Sequence, residues 1–274
     1  MQHIKIIRKV KGLILSYIYL YFGLKLSINV VSCFNFFRLK KQLGQFKKQG
    51  KKSHVYFPVT KLYPCYEDRL ENAGSLEFHY FYQDLYVAQR IFQNNPSCHI
   101  DIGSRISGFI VHVASFRKVE VFDIRPLHNF IPNVQFRQVD IMVLAEDYID
   151  STDSISCLHA LEHIGLGRYR DPICYDGYWQ AFQNIYKILK NKGKFYFSVP
   201  LGKQRVEFHA HRVFSLKYLL EMIEPLYEIE TFSYVDDKNV FFMDVHITEE
   251  IIENNCNCNY GCAIFELIKK INTL

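Results

Sequence analysis

Three carboxylates and three histidines give this chain its chemistry. Asp101, Asp123 and Asp140 each close a short run rich in apolar residues, with Gly103 two places beyond the first. A carboxylate ending the second of such runs is placed to accept hydrogen bonds from the two ribose hydroxyls of a nucleoside, and a glycine turn lets a ligand approach the backbone. One such acid alone reads as a loop carboxylate or a helix cap; three at successive ends read as a ligand site. His163 stands beside Glu162 after the fourth run, and His209 and His211 follow the fifth. All three are neutral near pH 7 unless perturbed, so each is a candidate general base, with a structural histidine bonded to loop backbone as the bland reading of His163. On an extended segment His209 and His211 point to one side, as a base and its orienter would, or as two ligands of a metal shared with Glu162. Cys256, Cys258 and Cys262 lack a second ligand pair at zinc-finger spacing and have no histidine close by in sequence, so no metal is expected.

These residues need elements to hold them. Strands are predicted over 98–103, 119–123, 134–140, 154–159, 194–199, 227–234 and 262–268. Helices are predicted over 76–92, from a cap at Ser104 through Phe116, over 178–190, and over 215–224 before Pro225. Tyr178, Ala181, Phe182, Ile185, Ile188 and Leu189 recur at helical spacing, and Gly193 closes that segment. Strands alternating with helices build a mostly parallel sheet covered on both faces, with ligands at the carboxyl ends of its strands.

The residues from 76 to 270 resemble class I S-adenosylmethionine-dependent methyltransferases. The resemblance rests on Asp101-Ile-Gly103-Ser-Arg-Ile-Ser-Gly108, on Cys157-Leu-His-Ala-Leu-Glu-His-Ile164, and on Ile188-Leu-Lys-Asn-Lys-Gly193 leading to Ser198-Val-Pro200. With Ala210-His-Arg-Val-Phe214, the chain is most similar to an uncharacterised methyltransferase-like family often associated with bacterial surface-polysaccharide gene clusters. The resemblance implies a Rossmann-like α/β fold with a seven-stranded, mostly parallel sheet, S-adenosylmethionine as cofactor, and O-methylation of a sugar or surface-glycan intermediate. It implies that Asp101, Gly103 and Ser104 line the methionine end, that Asp123 holds the ribose, that Asp140 meets the adenine, and that His159 passes close to the sulfonium. The family's motif is acid-x-Gly-x-Gly-x-Gly. Here Arg105 and Ser107 replace its second and third glycines, so Arg105 either meets the cofactor's carboxylate or closes the pocket.

Charge divides the 274 residues. The first 66 carry 13 Lys and Arg and no acid, leaving 20 Lys and Arg against 28 Asp and Glu in the rest, a net of −8. Residues 1–66 are therefore read as a basic, aromatic-rich helical extension and 67–274 as the enzyme domain. The uncharged runs 12–24 and 26–37, parted by Lys25, are each too short to span a bilayer. They fit helices lying on an anionic membrane surface through residues 1–53 or helices covering a core, with residues 45–53 as an exposed linker. Eight scattered cysteines read as reduced thiols of a cytoplasmic protein, peripheral to the inner face of the membrane if the extension docks there. Nucleic acid is not the expected partner, since the strand end at Ser198-Val-Pro200 lacks the Asn/Asp-Pro-Pro-aromatic motif of nucleic-acid methyltransferases. The rival to an enzyme is a non-catalytic cofactor-binding or scaffold protein on the methyltransferase fold, associated with a membrane-bound glycan-synthesis complex.

Overall fold

The computed structural model describes residues 30–52, 55, 57–62, 78–143 and 146–271. The chain divides into two compact units, Met1–Ser75 and Leu76–Leu274. In the first, helix α1 (Val30–Gly50) continues through most of the segment expected to be a linker, because Gln45–Gln49 contains no breaker before Gly50. Lys40 packs over the Phe36 ring at 4.7 Å, while Phe36, Phe37 and Phe46 are exposed. No described helix is long and apolar enough to cross a membrane. The apolar run 12–24 lies outside the described residues.

The second unit opens with α2 (Phe78–Asn94) and then alternates as expected: β1 (Ile100–Ile102), α3 (Val111–Ala114), β2 (Val119–Asp123), β3 (Val134–Gln138), β4 (Thr152–Leu158), α4 (Gly177–Ile188) and β5 (Leu189–Leu201). After β5 come a hairpin of β6 (Arg205–Glu207) and β7 (His211–Val213), then α5 (Leu216–Ile223), β8 (Tyr227–Val235), β9 (Phe241–Phe242), α6 (Glu249–Asn254) and β10 (Gly261–Lys269). The sheet order is β3-β2-β1-β4-β5-β10-β8-β9. Neighbours from β3 to β5 pair in parallel, and β10 runs antiparallel between β5 and β8. The fold is thus α/β with a mostly parallel, Rossmann-like sheet. It has eight strands rather than seven, because the chain after β8 folds back as the short edge strand β9.

Period-two alternation sends Ile100, Ile102, Ile155 and Cys157 to one face, where α4 and α5 cover them. Val119, Val121, Leu158 and Ile264 meet α2 and α3 on the other. Phe182 of α4 is fully buried against Phe195, Phe197 and Tyr227, so Phe182→Ala would cost about 3–5 kcal/mol. Ser215 caps α5 by accepting from Tyr218 N at 3.3 Å. Glu266 of β10 is buried and takes hydrogen bonds from Arg90 (2.6 Å) and Asn94 (2.7 Å) of α2 and from Lys194 (2.6 Å) of β5, tying α2 to the sheet.

Candidate functional site

The strand order reverses between β1 and β4, where helices leave opposite faces and a crevice must open at the carboxyl ends. β1 delivers the chain into Gly103, whose N–H donates to Phe122 O at 2.8 Å. Its φ is +69°, and a Cβ there would meet the Ala160 Cβ at 3.0 Å, so glycine is required. Asp101 is fully buried and turned away from the crevice: its carboxylate accepts from Ser104 N (3.0 Å), Ser104 Oγ (2.6 Å) and Ser156 Oγ (2.6 Å). Burial pushes its pKa up to about 7 despite these donors. Ser104 Oγ in turn accepts from Leu158 N at 3.1 Å. Both residues build the loop from behind and line no cleft. Ser104 does not cap the next helix either, which opens with a π turn at Ile106–Ile110 behind Arg105.

A cleft of about 630 Å³, part of it open to solvent, runs along these strand ends between Gly103, Asp123, Asp140, Ala160 and an apolar wall of Ile102, Phe122, Ile124, Val139, Ile141 and Ile164. Asp123 is engaged: Arg125 approaches it through Nη2 (2.5 Å), Nε (2.9 Å) and its own backbone N (2.8 Å). Asp140 Oδ1 accepts from Met142 N at 2.9 Å.

This cleft opens into a wider, solvent-open one, with Gly103, Asp123, Arg125, His159, His163 and Tyr169 common to both. The wider cleft adds Tyr80, Arg105, Glu162, Arg168, His211 and Tyr260. After β4, His159 adopts φ +49° and the chain makes a tight turn at Leu161–His163. Buried Glu162 accepts from His159 Nδ1 at 2.8 Å and lies 3.7 Å from His163 Nε2. Burial alone would lower the His159 pKa, but Cys262 and Glu162 hold it well above its ordinary value. His163 Nδ1 donates to Ala210 O at 2.6 Å, which leaves Nε2 toward Glu162 and the cleft. His211, on β7, is pulled down by burial; its Nε2 is buried without a hydrogen-bond partner, 3.3 Å from Glu207 Oε2. The His163 and His211 rings are 6.4 Å apart.

The structure therefore brings Gly103, Arg105, Asp123, Asp140, His159, Glu162, His163 and His211 to two joined clefts. His209 is not among them. It sits exposed in the β6–β7 turn with φ +69°, so the extended alternation that would pair it with His211 is broken by the hairpin. Two positioning residues were not among the expected site residues, although Arg212 lies within the Ala210–Phe214 motif. Buried Arg212 donates to the carbonyls of Ile164 (2.7 Å) and Tyr175 (3.0 Å) and stacks on Tyr178, clamping the loop after β4. Asp171 accepts from the backbone N of Gly165 (2.8 Å), Gly167 (3.0 Å) and Tyr169 (3.0 Å), which outweigh burial and lower its pKa.

Residues 125–260 match the family model described as Caenorhabditis protein of unknown function, DUF268. No curated protein gives a significant match. Among solved structures, the chain is similar to the 1,6-didemethyltoxoflavin-N1-methyltransferase of Burkholderia thailandensis bound to S-adenosylhomocysteine, at 13% identity over 70% of this chain and 80% of that one, TM-score 0.49. It is similar to the [4+2]-cyclase SpnF at 15% identity over 69% and 81%, TM-score 0.48. The N-methyltransferase NodS of Bradyrhizobium japonicum, in complex with S-adenosylhomocysteine, matches at 12% identity over 70% and 89%, TM-score 0.46.

Proposed function

We propose that the chain is an S-adenosylmethionine-dependent methyltransferase acting on a hydroxyl of a sugar or glycan intermediate. The observation that carries the reading is the meeting of the two clefts at Gly103, Asp123, His159 and His163: one is a narrow apolar slot edged by carboxylates, the other a wide polar opening. The residues fit a nucleoside cofactor. Asp123 would hold the ribose, the slot of Ile124, Val139 and Ile141 with Asp140 the adenine, and the side-chain-free Gly103 the approach to the backbone. Bound there, the group supplies an already activated methyl, so positioning the acceptor carries much of the rate. The chain's own task is then to orient a hydroxyl and take its proton. His163 Nε2, with Nδ1 fixed on Ala210 O, and His211, kept neutral by burial, are the bases within the wider cleft. Tyr260 lines the wider cleft together with the stacked pairs Arg105–Tyr80 and Arg168–Tyr169, an aromatic and cationic lining suited to a hydroxylated ring.

The Arg125 grip on Asp123 favours a second reading, a fold that no longer takes cofactor and serves as a scaffold. Calorimetric titration with S-adenosylhomocysteine separates the two in part: no binding at millimolar ligand leaves only the scaffold, and binding is required of the enzyme. Transfer of labelled methyl to a panel of sugar nucleotides and lipid-linked sugars then tests the acceptor class. In either role we propose a cytoplasmic protein, docked on anionic membrane through residues 1–53, whose 12 Lys and Arg and exposed Phe36, Phe37 and Phe46 suit such a surface.

A further inference from the structure

Cys262 has no histidine near it in sequence, yet folding gives it two. His79 on α2, His159 after β4 and Cys262 on β10 place one donor atom each within 4.8 Å of one another, and all three residues are buried. Two imidazoles and a thiolate are a zinc-class donor set. A tetrahedral ion with bonds of about 2.0–2.3 Å needs donors roughly 3.3–3.6 Å apart, so donors that lie within 4.8 Å would draw together on binding.

A second observation points to a ligand. His159 Nδ1 is tied to Glu162 Oε1 at 2.8 Å, whereas its Nε2 is buried with no hydrogen-bond partner outside the cluster, the Cys262 thiol being the group beside it. An orphaned ring nitrogen inside a protein costs free energy. A histidine held by a carboxylate at one nitrogen, with the other left for the ion, is how proteins orient a metal-binding imidazole. The rings of His79 and His159 stack with centroids 5.8 Å apart and an interplanar angle of 15°, so neither blocks the other from the thiol.

We propose that His79, His159 and Cys262 bind one divalent zinc-class cation, with Glu162 as the positioning residue for His159. No fourth His, Cys, Asp or Glu joins the group among the described residues. His159 lines the wider cleft beside Tyr80 and Tyr260, so the remaining coordination position falls to water or to an oxygen entering from that cleft. Three protein ligands and one exchangeable position are the arrangement of a zinc ion that acidifies a bound hydroxyl or water rather than one that only braces a fold. The site does not depend on cofactor binding, and its test uses none.

The full-length protein is stripped with chelator and titrated with Zn²⁺ against a chromophoric competitor, and with Co²⁺ followed by absorption. One ion per chain is expected, with a thiolate-to-cobalt charge-transfer band. Cys262→Ser should abolish that band. His79→Ala should weaken zinc by more than the roughly 10–100-fold loss expected of Glu162→Gln. Cys258→Ser, which alters a buried neighbour outside the cluster, should bind as the parent does. Circular dichroism confirms folding, and if Cys262→Ser fails to fold, His79→Ala and Glu162→Gln decide. Absence of stoichiometric zinc, a cobalt band that survives in Cys262→Ser, zinc affinity unchanged in His79→Ala and Glu162→Gln, or a band lost in Cys258→Ser would each overturn the site.

Discussion

Removing the Arg125 guanidinium should tighten binding of S-adenosylhomocysteine. Arg125 occupies the Asp123 oxygens that a ribose would need, through contacts of 2.5 and 2.9 Å, and must swing away before they are free. The cost of that release can be bounded. The Arg125 side chain is 47% exposed, so its ion pair with Asp123 is screened and contributes about 0.2–1 kcal/mol. Its stacking on the Tyr169 ring at 4.5 Å adds about 0.5–1 kcal/mol. Release therefore costs about 0.7–2 kcal/mol, and Arg125→Ala should raise affinity roughly 3–30-fold by calorimetry. Asp123→Ala should lower it by about 1.5–3 kcal/mol, the range for lost charged hydrogen bonds. The double variant is the control. With Asp123 gone, removing Arg125 should gain nothing, because the two changes act through one contact. Affinity that is unchanged or weaker in a folded Arg125→Ala protein, or a gain that persists in the double variant, would refute Asp123 as the ribose ligand.

Once an acceptor is in hand, His163→Ala or His211→Ala should lower turnover about 10²–10⁴-fold while cofactor affinity stays within a few fold, and loss of folding in both would mark them as structural. Glu266→Gln should lower the melting temperature by about 3–12 °C at pH 7, from roughly 1.5–3 kcal/mol. Against burial, Lys194 and Arg90 hold the Glu266 pKa below its ordinary 4.5, so its contribution is present above that pH and is lost as pH falls through the lowered value. Acid titration of stability should therefore be shallower in Glu266→Gln below about pH 4.5. Deleting the residues before Ser53 should abolish sedimentation with anionic vesicles and leave cofactor affinity intact, since every proposed cofactor contact lies beyond residue 100. Full-length protein left in the supernatant with anionic and neutral vesicles alike would end the membrane reading.

Much of the second unit was legible in the chain because its signals are local. Period-two and 3.6-residue apolar patterns depend only on neighbours, and they located α2, β1, β2, β4, α4, β5, α5, β8 and β10 to within a few residues, apart from the long extension of β5. A glycine beside a strand end and acids at successive strand ends likewise fixed where the crevice would open. The direction of a carboxylate is not local. Asp101 and Asp123 look alike in sequence, yet Ser104 and Ser156 draw the first into the wall while Arg125 holds the second at the rim. His209 was misread because a three-residue strand at Arg205–Glu207 is too short to leave a periodic signature, and the turn after it reverses the chain. The cluster of His79, His159 and Cys262 was beyond any sequence reading. Its members come from segments 80 and 103 residues apart, and only the packing of α2 and the antiparallel insertion of β10 beside β5 bring them within reach of one ion.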